Sequence, residues 1–227
     1  MSLPILIFAA GRGTRMGALA ANTPKPMLFA GGKRLIDHAL DLATSAGMAP
    51  ILVNTHQHAD QLHSHLAART DVQIQHEETL LETGGGLKRA RQTLGPGPVA
   101  TLNADAVWKG KNPLHQLLAA FDPNRMDALL LLAPTAQALA SGPGDFSLDH
   151  GQLRRRAGAP SAPYIYTGAQ IINPARLDEI PDTVFSMNIL WDMLIAQNRA
   201  FGLPMQGGWR DVGTPDALVA AESWLAT

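Results

Sequence analysis

The chain has 227 residues, with 18 basic and 19 acidic side chains, a formal net charge of −1 and no cysteine. Its length suits one large α/β domain with a sizeable core, and its balanced charge leaves no global basic field to attract nucleic acid or an anionic membrane. The lack of cysteine excludes disulfides, thiolate catalysis and zinc–thiolate sites.

The apolar N-terminal run, residues 3–8, lacks the basic residues of a secretory leader and continues directly into a glycine-rich loop. Other apolar runs, such as residues 129–133, have the length of a strand and are too short to span a membrane. We therefore expect a cytoplasmic protein with neither a membrane nor a nucleic acid as partner.

Apolar runs alternate with amphipathic segments along the first part of the chain. The apolar runs predict strands at residues 3–8, 51–53, 72–75, 99–102 and 128–132. Apolar residues at helical spacing predict helices at residues 35–43, 59–68, 83–94 and 114–121. This alternation predicts an α/β fold with a Rossmann-like, mostly parallel sheet and helices on both faces.

Glycine and proline become frequent at residues 142–163, where we expect a small antiparallel or irregular lobe. Beyond it, the pattern predicts a strand at residues 164–172 and a helix at residues 187–196. Thr214 and Pro215 fit the N-cap and the first turn of a final helix.

A glycine-rich, cationic loop follows the first predicted strand. Gly11 and Gly13 carry no Cβ, so the backbone can turn sharply and bring its N–H groups close to an anion. Arg12, Arg15 and Lys25 add positive charge, and arginine can hold phosphate oxygens through two parallel hydrogen bonds. We interpret the loop as a holder for the polyphosphate of a nucleotide.

Two other glycine-rich phosphate motifs fit less well. The dinucleotide fingerprint requires a third glycine where Met16 stands, which disfavours an NAD-binding oxidoreductase. The stretch at residues 31–34 has a lysine but no following serine or threonine, so it is not an ATPase-type P-loop. A structural glycine turn without a ligand is the remaining alternative.

Two aspartates and a second glycine-rich stretch complete the candidate site. Asp105 follows a buried strand, where open α/β sheets place ligand-binding groups, and Asp211 precedes a predicted helix. Two carboxylates beside a phosphate-binding loop suit Mg²⁺, although each could simply cap a turn. Residues 84–86 are three glycines at a helix start, and they favour close approach of a nucleobase or, alternatively, a simple loop-to-helix transition.

Four stretches together resemble the sugar-1-phosphate nucleotidylyltransferases, whose fold is GT-A-like. They are residues 9–16, Pro24-Lys25-Pro26, Asn103-Ala104-Asp105 and residues 209–214. Residues 81–86 and Gly144-Asp145-Phe146 most resemble the short bacterial N-acetylmuramate-1-phosphate uridylyltransferase branch of that family. The motifs occur in the family's order and extend over nearly the whole chain.

The resemblance implies transfer of a nucleoside monophosphate from a nucleoside triphosphate, with UTP favoured, to a sugar 1-phosphate, with release of pyrophosphate. It implies Arg15, Lys25, Asp105 and Asp211 as catalytic residues, with Mg²⁺ held by Asp105 and Asp211. The residues that it assigns to the nucleotide are Ala10, Gly11, Gly13, Thr14, Arg15, Lys25, Thr83, Gly84 and Asn103. Those that it assigns to the sugar are Gly144, Asp145, Thr167 and Gly168.

It further implies a single domain over residues 1–227, forming a monomer or small homo-oligomer. About residues 1–110 would bind the nucleotide, and about residues 111–227 the sugar phosphate. Mannose-1-phosphate guanylyltransferase and phosphocholine cytidylyltransferase remain alternatives, because the glycines at 84–86 do not fix the base. A non-catalytic regulatory subunit that binds a sugar nucleotide is a third alternative, disfavoured because a pure binder needs no pair of metal ligands.

Some residues depart from the family pattern or carry weaker signals. Ala104 stands where many relatives have glycine, and Arg154-Arg155-Arg156 lies where longer relatives have Glu-Lys-Pro. The arginines are either solvent-facing, or one of them meets the lactyl carboxylate of a muramic acid substrate. We interpret His56, His58, His63 and His65 as a solvated surface, and Trp191 and Trp224 as core or interface residues.

Overall fold

A computed structural model of the protein describes residues 2–136 and 142–227. In chain order, the strands are β1 (Ile5–Phe8), β2 (Phe29–Ala30), β3 (Lys33–Arg34), β4 (Ile51–Thr55), β5 (Val72–His76), β6 (Val99–Asn103), β7 (Ala106–Lys109), β8 (Ala128–Pro134), β9 (Phe146–Asp149), β10 (Gln152–Arg155), β11 (Tyr164–Ile172), β12 (Ala200–Pro204) and β13 (Gly208–Asp211). The α-helices are α1 (Leu35–Ser45), α2 (Ala59–Leu66), α3 (Glu82–Leu94), α4 (Pro113–Ala120), α5 (Met187–Ala196) and α6 (Pro215–Ala226). Short 3₁₀ turns lie at Thr14–Ala20, Lys25–Met27 and Pro174–Glu179.

Within the described residues, the main sheet has nine strands in the order β5-β4-β1-β6-β11-β8-β12-β10-β9. β1 pairs in parallel with β4 and β6, and β4 pairs in parallel with β5. β11 runs antiparallel to both β6 and β8, whereas β12 runs parallel to β8. The predicted α/β class and mostly parallel sheet are confirmed.

Helices cover both faces of this sheet because its central strands are apolar on both sides. Ile5 and Ile7 pack on one face and Leu6 on the other, and all three are fully buried. The first face is covered by apolar side chains of α1, α2 and α4, and the second by those of α3 and α5. Because β1, β4 and β6 are parallel, the loops after them lie together at the carboxyl ends of the strands, where ligands bind in open α/β sheets.

Residues 142–163 were expected to form an antiparallel or irregular lobe. They contain the antiparallel pair β9 and β10, which joins the edge of the main sheet through β12 and also contacts β11. The small antiparallel region is thus continuous with the large sheet.

A separate two-stranded ribbon is among the elements that sequence patterning missed, together with β12 and the β2–β3 pair. β13 pairs antiparallel with β7, so that Asp211 lies opposite Ala106. The N–H of Val212 then donates to the carbonyl of Asp105 at 2.8 Å. The ribbon brings two distant parts of the chain together beside the end of β6.

Trp191 lies in the core on the α3–α5 face, where its indole N–H donates to Gln170 Oε1 at 2.8 Å. Trp224, a residue of α6, has two cationic groups near its ring: Lys109 Nζ lies 5.1 Å and Arg210 Cζ 5.0 Å from the ring centroid. No helix of the described residues combines the length and the apolar character needed to cross a membrane.

Candidate active site

A cleft of about 690 Å³ opens at the carboxyl ends of β1, β4 and β6. Its walls are the loop after β1, the turn at Lys25, the end of β6 and the start of α3. The predicted site residues that line it are Ala10, Gly11, Gly13, Thr14, Arg15, Lys25, Thr83, Asn103 and Asp105. The structure therefore gathers most of the residues assigned to the nucleotide around one cavity.

The loop after β1 leaves open space at its first glycine. A Cβ on Gly11 would have no atom within 4 Å, so room for a ligand exists there. Gly13 has a φ of +62°, which an L side chain rarely adopts, and it leads into the turn that begins at Thr14. Met16 is fully buried and anchors this turn. The buried side chain of Met16 thus holds the loop in place, while the backbone at Gly11 stays accessible.

Lys25 and Asp105 form the central ion pair of the cleft. Lys25 Nζ lies 2.7 Å from Asp105 Oδ2, and only 7% of Lys25 is exposed. A lysine so buried remains charged only when an opposite charge or hydrogen-bond acceptor compensates for lost hydration. The pair therefore places an ammonium group, salt-bridged to a carboxylate, at the wall of the cleft.

Asp211 lies beside this pair because of the β7–β13 ribbon. Burial raises the pKa of Asp211, and the negative charge of Asp105 raises it further, while Lys25 and Arg15 oppose the shift. A Cβ on Gly213 would lie 2.6 Å from Asp211 Oδ2 and 2.9 Å from Arg15 Nη1, so both charged groups crowd this glycine. Asp105 lines the cleft and Asp211 does not, so the two acids are neighbours of which only one reaches the cavity. Carboxylate oxygens are the ligands that a divalent cation such as Mg²⁺ prefers.

The second glycine-rich stretch is packed against protein. The N–H groups of Gly84 and Gly85 both donate to the carbonyl of Phe185, at 2.9 and 3.1 Å. A Cβ on Gly84 would lie 2.4 Å from the Phe185 ring, and one on Gly85 only 2.1 Å from the Thr183 carbonyl oxygen. Gly84 was predicted to read a base through its backbone. The structure instead gives it a packing role and does not bring it to the cleft.

Thr83 has both a cleft-facing position and a structural bond. It lines the cavity, and its Oγ1 accepts a hydrogen bond from the N–H of Met187 at 2.9 Å. The hydroxyl thereby satisfies a backbone donor at the first residue of α5.

Most residues assigned to the sugar make contacts within the protein. A Cβ on Gly144 would lie 2.1 Å from the Ala162 carbonyl oxygen. Asp145 Oδ2 accepts from the N–H of Tyr166 at 2.9 Å, and the hydroxyl of buried Thr167 donates to the Leu131 carbonyl at 2.7 Å. These three residues do not line the cleft.

Gly168 is the sugar-side residue that packs against a residue of the cleft lining, although it does not itself line the cavity. It has a φ of +85° and lies where the pairing of β11 with β8 shifts register. A Cβ there would lie 2.8 Å from the side chain of Asn103, which lines the cavity. Glycine is required because Asn103 occupies that space.

The three arginines at 154–156 each have partners within the protein. Arg155 Nε donates to Asp192 at 2.7 Å, and its Nη1 donates to Asn188 at 3.0 Å. Arg156 donates to the carbonyls of Gly144 and Ala159, and Arg154 donates to Asp149. The run therefore links β10 to β9, to α5 and to the loop around Gly144 and Ala159, and contact of one arginine with a lactyl carboxylate stays a hypothesis.

Of the histidines assigned to a solvated surface, His56, His63 and His65 make hydrogen bonds within the protein, whereas the buried Nε2 of His58 has no partner among the described residues. His63 and His76 both contact the hydroxyl of buried Thr55, at 3.0 and 3.3 Å. His65 lies 2.8 Å from Asp37, and His56 Nδ1 lies 2.7 Å from the Glu77 carbonyl oxygen. In residues 2–136 and 142–227, no group of three or more His, Cys, Asp or Glu side chains forms a metal-binding cluster.

Sequence reasoning missed several residues of the cleft. Asn54, Glu82 and Ser186 line the cavity, and Glu77 lies buried behind Asn54. A signal was present for Asn54, since it stands near the carboxyl end of a buried parallel strand, as Asp105 does.

Comparison of the whole chain with known proteins shows its family. Residues 5–227 match the family model described as nucleotidyl transferase. An N-acetylmuramate alpha-1-phosphate uridylyltransferase of Caulobacter vibrioides is 38% identical over 97% of this chain and 96% of its own length. A protein of the same name from Neisseria meningitidis serogroup B is 30% identical, with 96% of each chain covered.

The fold is shared with a solved structure of UDP-glucose pyrophosphorylase complexed with UDP-glucose. The TM-score is 0.81, with 17% identity, and the alignment covers 100% of this chain and 99% of the other. The predicted GT-A-like fold and the predicted family resemblance are both confirmed. The chain belongs to the nucleotidyl transferase family of enzymes.

Proposed function

We propose that the chain transfers the uridylyl group of UTP to N-acetylmuramate 1-phosphate, which yields UDP-N-acetylmuramate and pyrophosphate. The choice of substrates is supported by the similarity to the Caulobacter uridylyltransferase, which covers nearly all of both chains. The chemistry rests on one observation: the buried Lys25 and the partly exposed Asp105 form an ion pair that lines the same cleft as the glycine-rich loop, and Asp211 lies close enough for its charge to interact with theirs.

The reaction joins two anions, so its main barrier is electrostatic. A phosphate oxygen of the sugar 1-phosphate attacks the α-phosphorus of UTP, and pyrophosphate leaves in line. The attacking phosphate has a second pKa of about 6 and is mostly dianionic at neutral pH, so no protein base is needed. Cations and precise positioning lower the barrier instead.

In this scheme, Lys25 neutralises charge between the α-phosphate and the incoming sugar phosphate. Gly13, Thr14 and Arg15 hold the triphosphate, because their loop presents backbone N–H groups and a guanidinium to the cleft. Asp105 and Asp211 would hold Mg²⁺, which when bound neutralises the phosphate oxygens that gain charge during transfer.

In this scheme the base of UTP and the sugar of the second substrate bind on opposite sides of β1. We place the base toward Ala10, Gly11 and Thr83, on the β4 side, away from the Lys25–Asp105 pair. We place the sugar on the side of Asn103 and Gly168, with the remaining sugar-side residues as structural support for β9 and β11. We also propose that residues 1–227 form one cytoplasmic domain, as a monomer or small homo-oligomer.

The decisive experiment measures pyrophosphate release with Mg²⁺ across a grid of nucleoside triphosphates and sugar 1-phosphates. We expect UTP with N-acetylmuramate 1-phosphate to react fastest, and EDTA to abolish release. A preference for GTP with mannose 1-phosphate, or for CTP with phosphocholine, would replace this proposal with the corresponding transferase. Absence of release with every pair would contradict it.

A further inference from the structure

Glu77 is a fully buried carboxylate at the end of β5, next to the cleft but outside its lining. It accepts hydrogen bonds from Asn54 Nδ2 at 2.9 Å, from the Leu81 N–H at 3.1 Å and from Gln75 Nε2 at 3.4 Å. All three donors are uncharged. Because an interior carboxylate is costly unless hydrogen bonds replace its hydration, the two shorter bonds, from Asn54 and Leu81, are the main stabilising contacts of Glu77.

Asn54 connects this carboxylate to the phosphate-binding loop. Its Oδ1 accepts from the N–H groups of Ala9 and Ala10, at 2.7 and 3.3 Å, while its Nδ2 donates to Glu77. The amide can therefore be oriented in only one way, with the oxygen toward the loop. A continuous chain of hydrogen bonds runs from the loop after β1, through Asn54 and Glu77, to the Leu81 N–H at the start of α3.

Gly86 shows that α3 is shaped around this chain. A Cβ on Gly86 would lie 3.1 Å from Glu77 Oε1 and 3.2 Å from Asn54 Nδ2. The carbonyl of Gly86 accepts a further bond from Gln75 Nε2 at 3.1 Å. Gly86 thus lacks a side chain because the Asn54–Glu77 pair occupies the space beside it. Contact with a nucleobase is not needed to explain this glycine.

We propose that Asn54 and Glu77 are positioning residues for the nucleotide: together they set the separation between the loop after β1 and the start of α3. This inference rests on the proposed function, in which these two walls enclose the base. β1 separates β4, which carries Asn54, from β6, which leads to Asp105. The pair therefore governs nucleotide affinity, whereas Lys25 and Asp105 govern the chemical step.

The test exchanges the hydrogen-bond donor and acceptor between positions 54 and 77. Glu77→Gln turns a donor toward either Asn54 Nδ2 or the Leu81 N–H, and Asn54→Asp places a second carboxylate against Glu77. We expect each single variant to raise the Kd for UTP at least about tenfold, the effect of losing one buried, charge-assisted hydrogen bond. In the Asn54→Asp/Glu77→Gln double variant, donor and acceptor exchange sides. We therefore expect its affinity to return to within about threefold of the wild type.

Calorimetric titration with UTP and Mg²⁺ gives the Kd, and pyrophosphate release gives kcat and both KM values. The single variants should raise KM for UTP while kcat at saturating UTP and KM for the sugar phosphate stay within about threefold, which a general loss of structure would not produce. Glu78→Gln is the matched control, since it removes the same charge from the exposed neighbouring residue.

Unchanged UTP affinity in both single variants overturns the proposal, as does a double variant no better than the weaker single one. If a single variant does not fold, the double variant decides alone. It should fold and bind UTP near wild-type strength, and failure of either contradicts the proposal. Failure of the proposed function is detected separately: the wild-type protein would then release no pyrophosphate from UTP. The same variants are then measured with the nucleoside triphosphate that the wild type does use.

Discussion

Two glycine-rich stretches flank the same cleft, and they differ in what occupies the space beside their glycines. Beside Gly11 there is open volume, with no atom within 4 Å of a would-be Cβ. Beside Gly84, Gly85 and Gly86 the corresponding space is filled by Phe185, Thr183 and the Asn54–Glu77 pair. Protein atoms exclude side chains from the second stretch, whereas the space beside Gly11 stays open and leaves room for a ligand.

The difference shows that a glycine cluster identifies close approach without identifying the approaching group. In the loop after β1, the cationic neighbours Arg15 and Lys25 lie in the same cavity as the open glycine. At the start of α3, the neighbours are a ring, a carbonyl and a buried carboxylate from the same chain. Substitutions on the two sides should therefore affect different quantities.

The largest effect is expected on kcat, from removing the charge of Lys25 beside the loop after β1. Lys25→Met should lower kcat by at least about a hundredfold, which corresponds to about 3 kcal/mol of transition-state stabilisation. The pyrophosphate-release assay measures this loss. Lys33→Met is the control, because Lys33 pairs with Asp41 on the exposed surface. A Lys25→Met enzyme with near-wild-type kcat would remove Lys25 from the chemistry.

The next largest effect concerns stability on the packed side. Gly85→Ala should lower the free energy of unfolding by about 2 to 3 kcal/mol, since the methyl group would have to displace the Thr183 carbonyl. Chemical denaturation measures the change. Gly97→Ala is the matched control, because a Cβ there meets no atom within 4 Å. Equal stability of the two variants would show that α3 tolerates a side chain at this position.

Gly11→Ala should have the opposite profile. We expect the free energy of unfolding to stay constant or to rise by up to about 1 kcal/mol, because alanine restricts the unfolded chain. The Kd for UTP should rise by about tenfold, since the methyl group occupies space reserved for the ligand. Unchanged affinity would mean that Gly11 is a turn residue without a role in binding.

The smallest effect tests the hydroxyl between the two regions. Thr83→Val should cost about 1 kcal/mol of stability, because the Met187 N–H loses its acceptor. Thr93→Val, at an exposed position of the same helix, is the comparison. Thermal melts of the two variants give the difference. A Thr83→Val protein as stable as the Thr93→Val protein would show that solvent replaces the lost bond.

Local patterns predicted the central fold well because buried parallel strands are short apolar runs. The same reasoning located Asp105, since strand ends meet at a shared edge. It could not bring Asp211 to Asp105. The strand Gly208–Asp211 mixes glycine, tryptophan, arginine and aspartate, so it shows no apolar alternation, and its partner strand lies far away in the chain. The chemistry of a magnesium site and the family resemblance suggested that meeting, whereas local patterns did not.

The sugar-side assignments show the opposite limit. Gly144 and Thr167 fit the family motif, and in the structure they approach Ala162 and bond to Leu131, while their assignment to the sugar stays a prediction. These contacts depend on which strands become neighbours in β8, β9 and β11. That information is spread over the whole chain and is absent from any short segment.

The β7–β13 ribbon has a mechanical consequence. Asp105 immediately precedes one of its strands, Asp211 ends the other, and the Val212 N–H to Asp105 carbonyl bond ties them at that end. Because the strand pairing and this bond join the two chain segments, the backbone spacing of the two acids is set by the ribbon and not by the register of the main sheet.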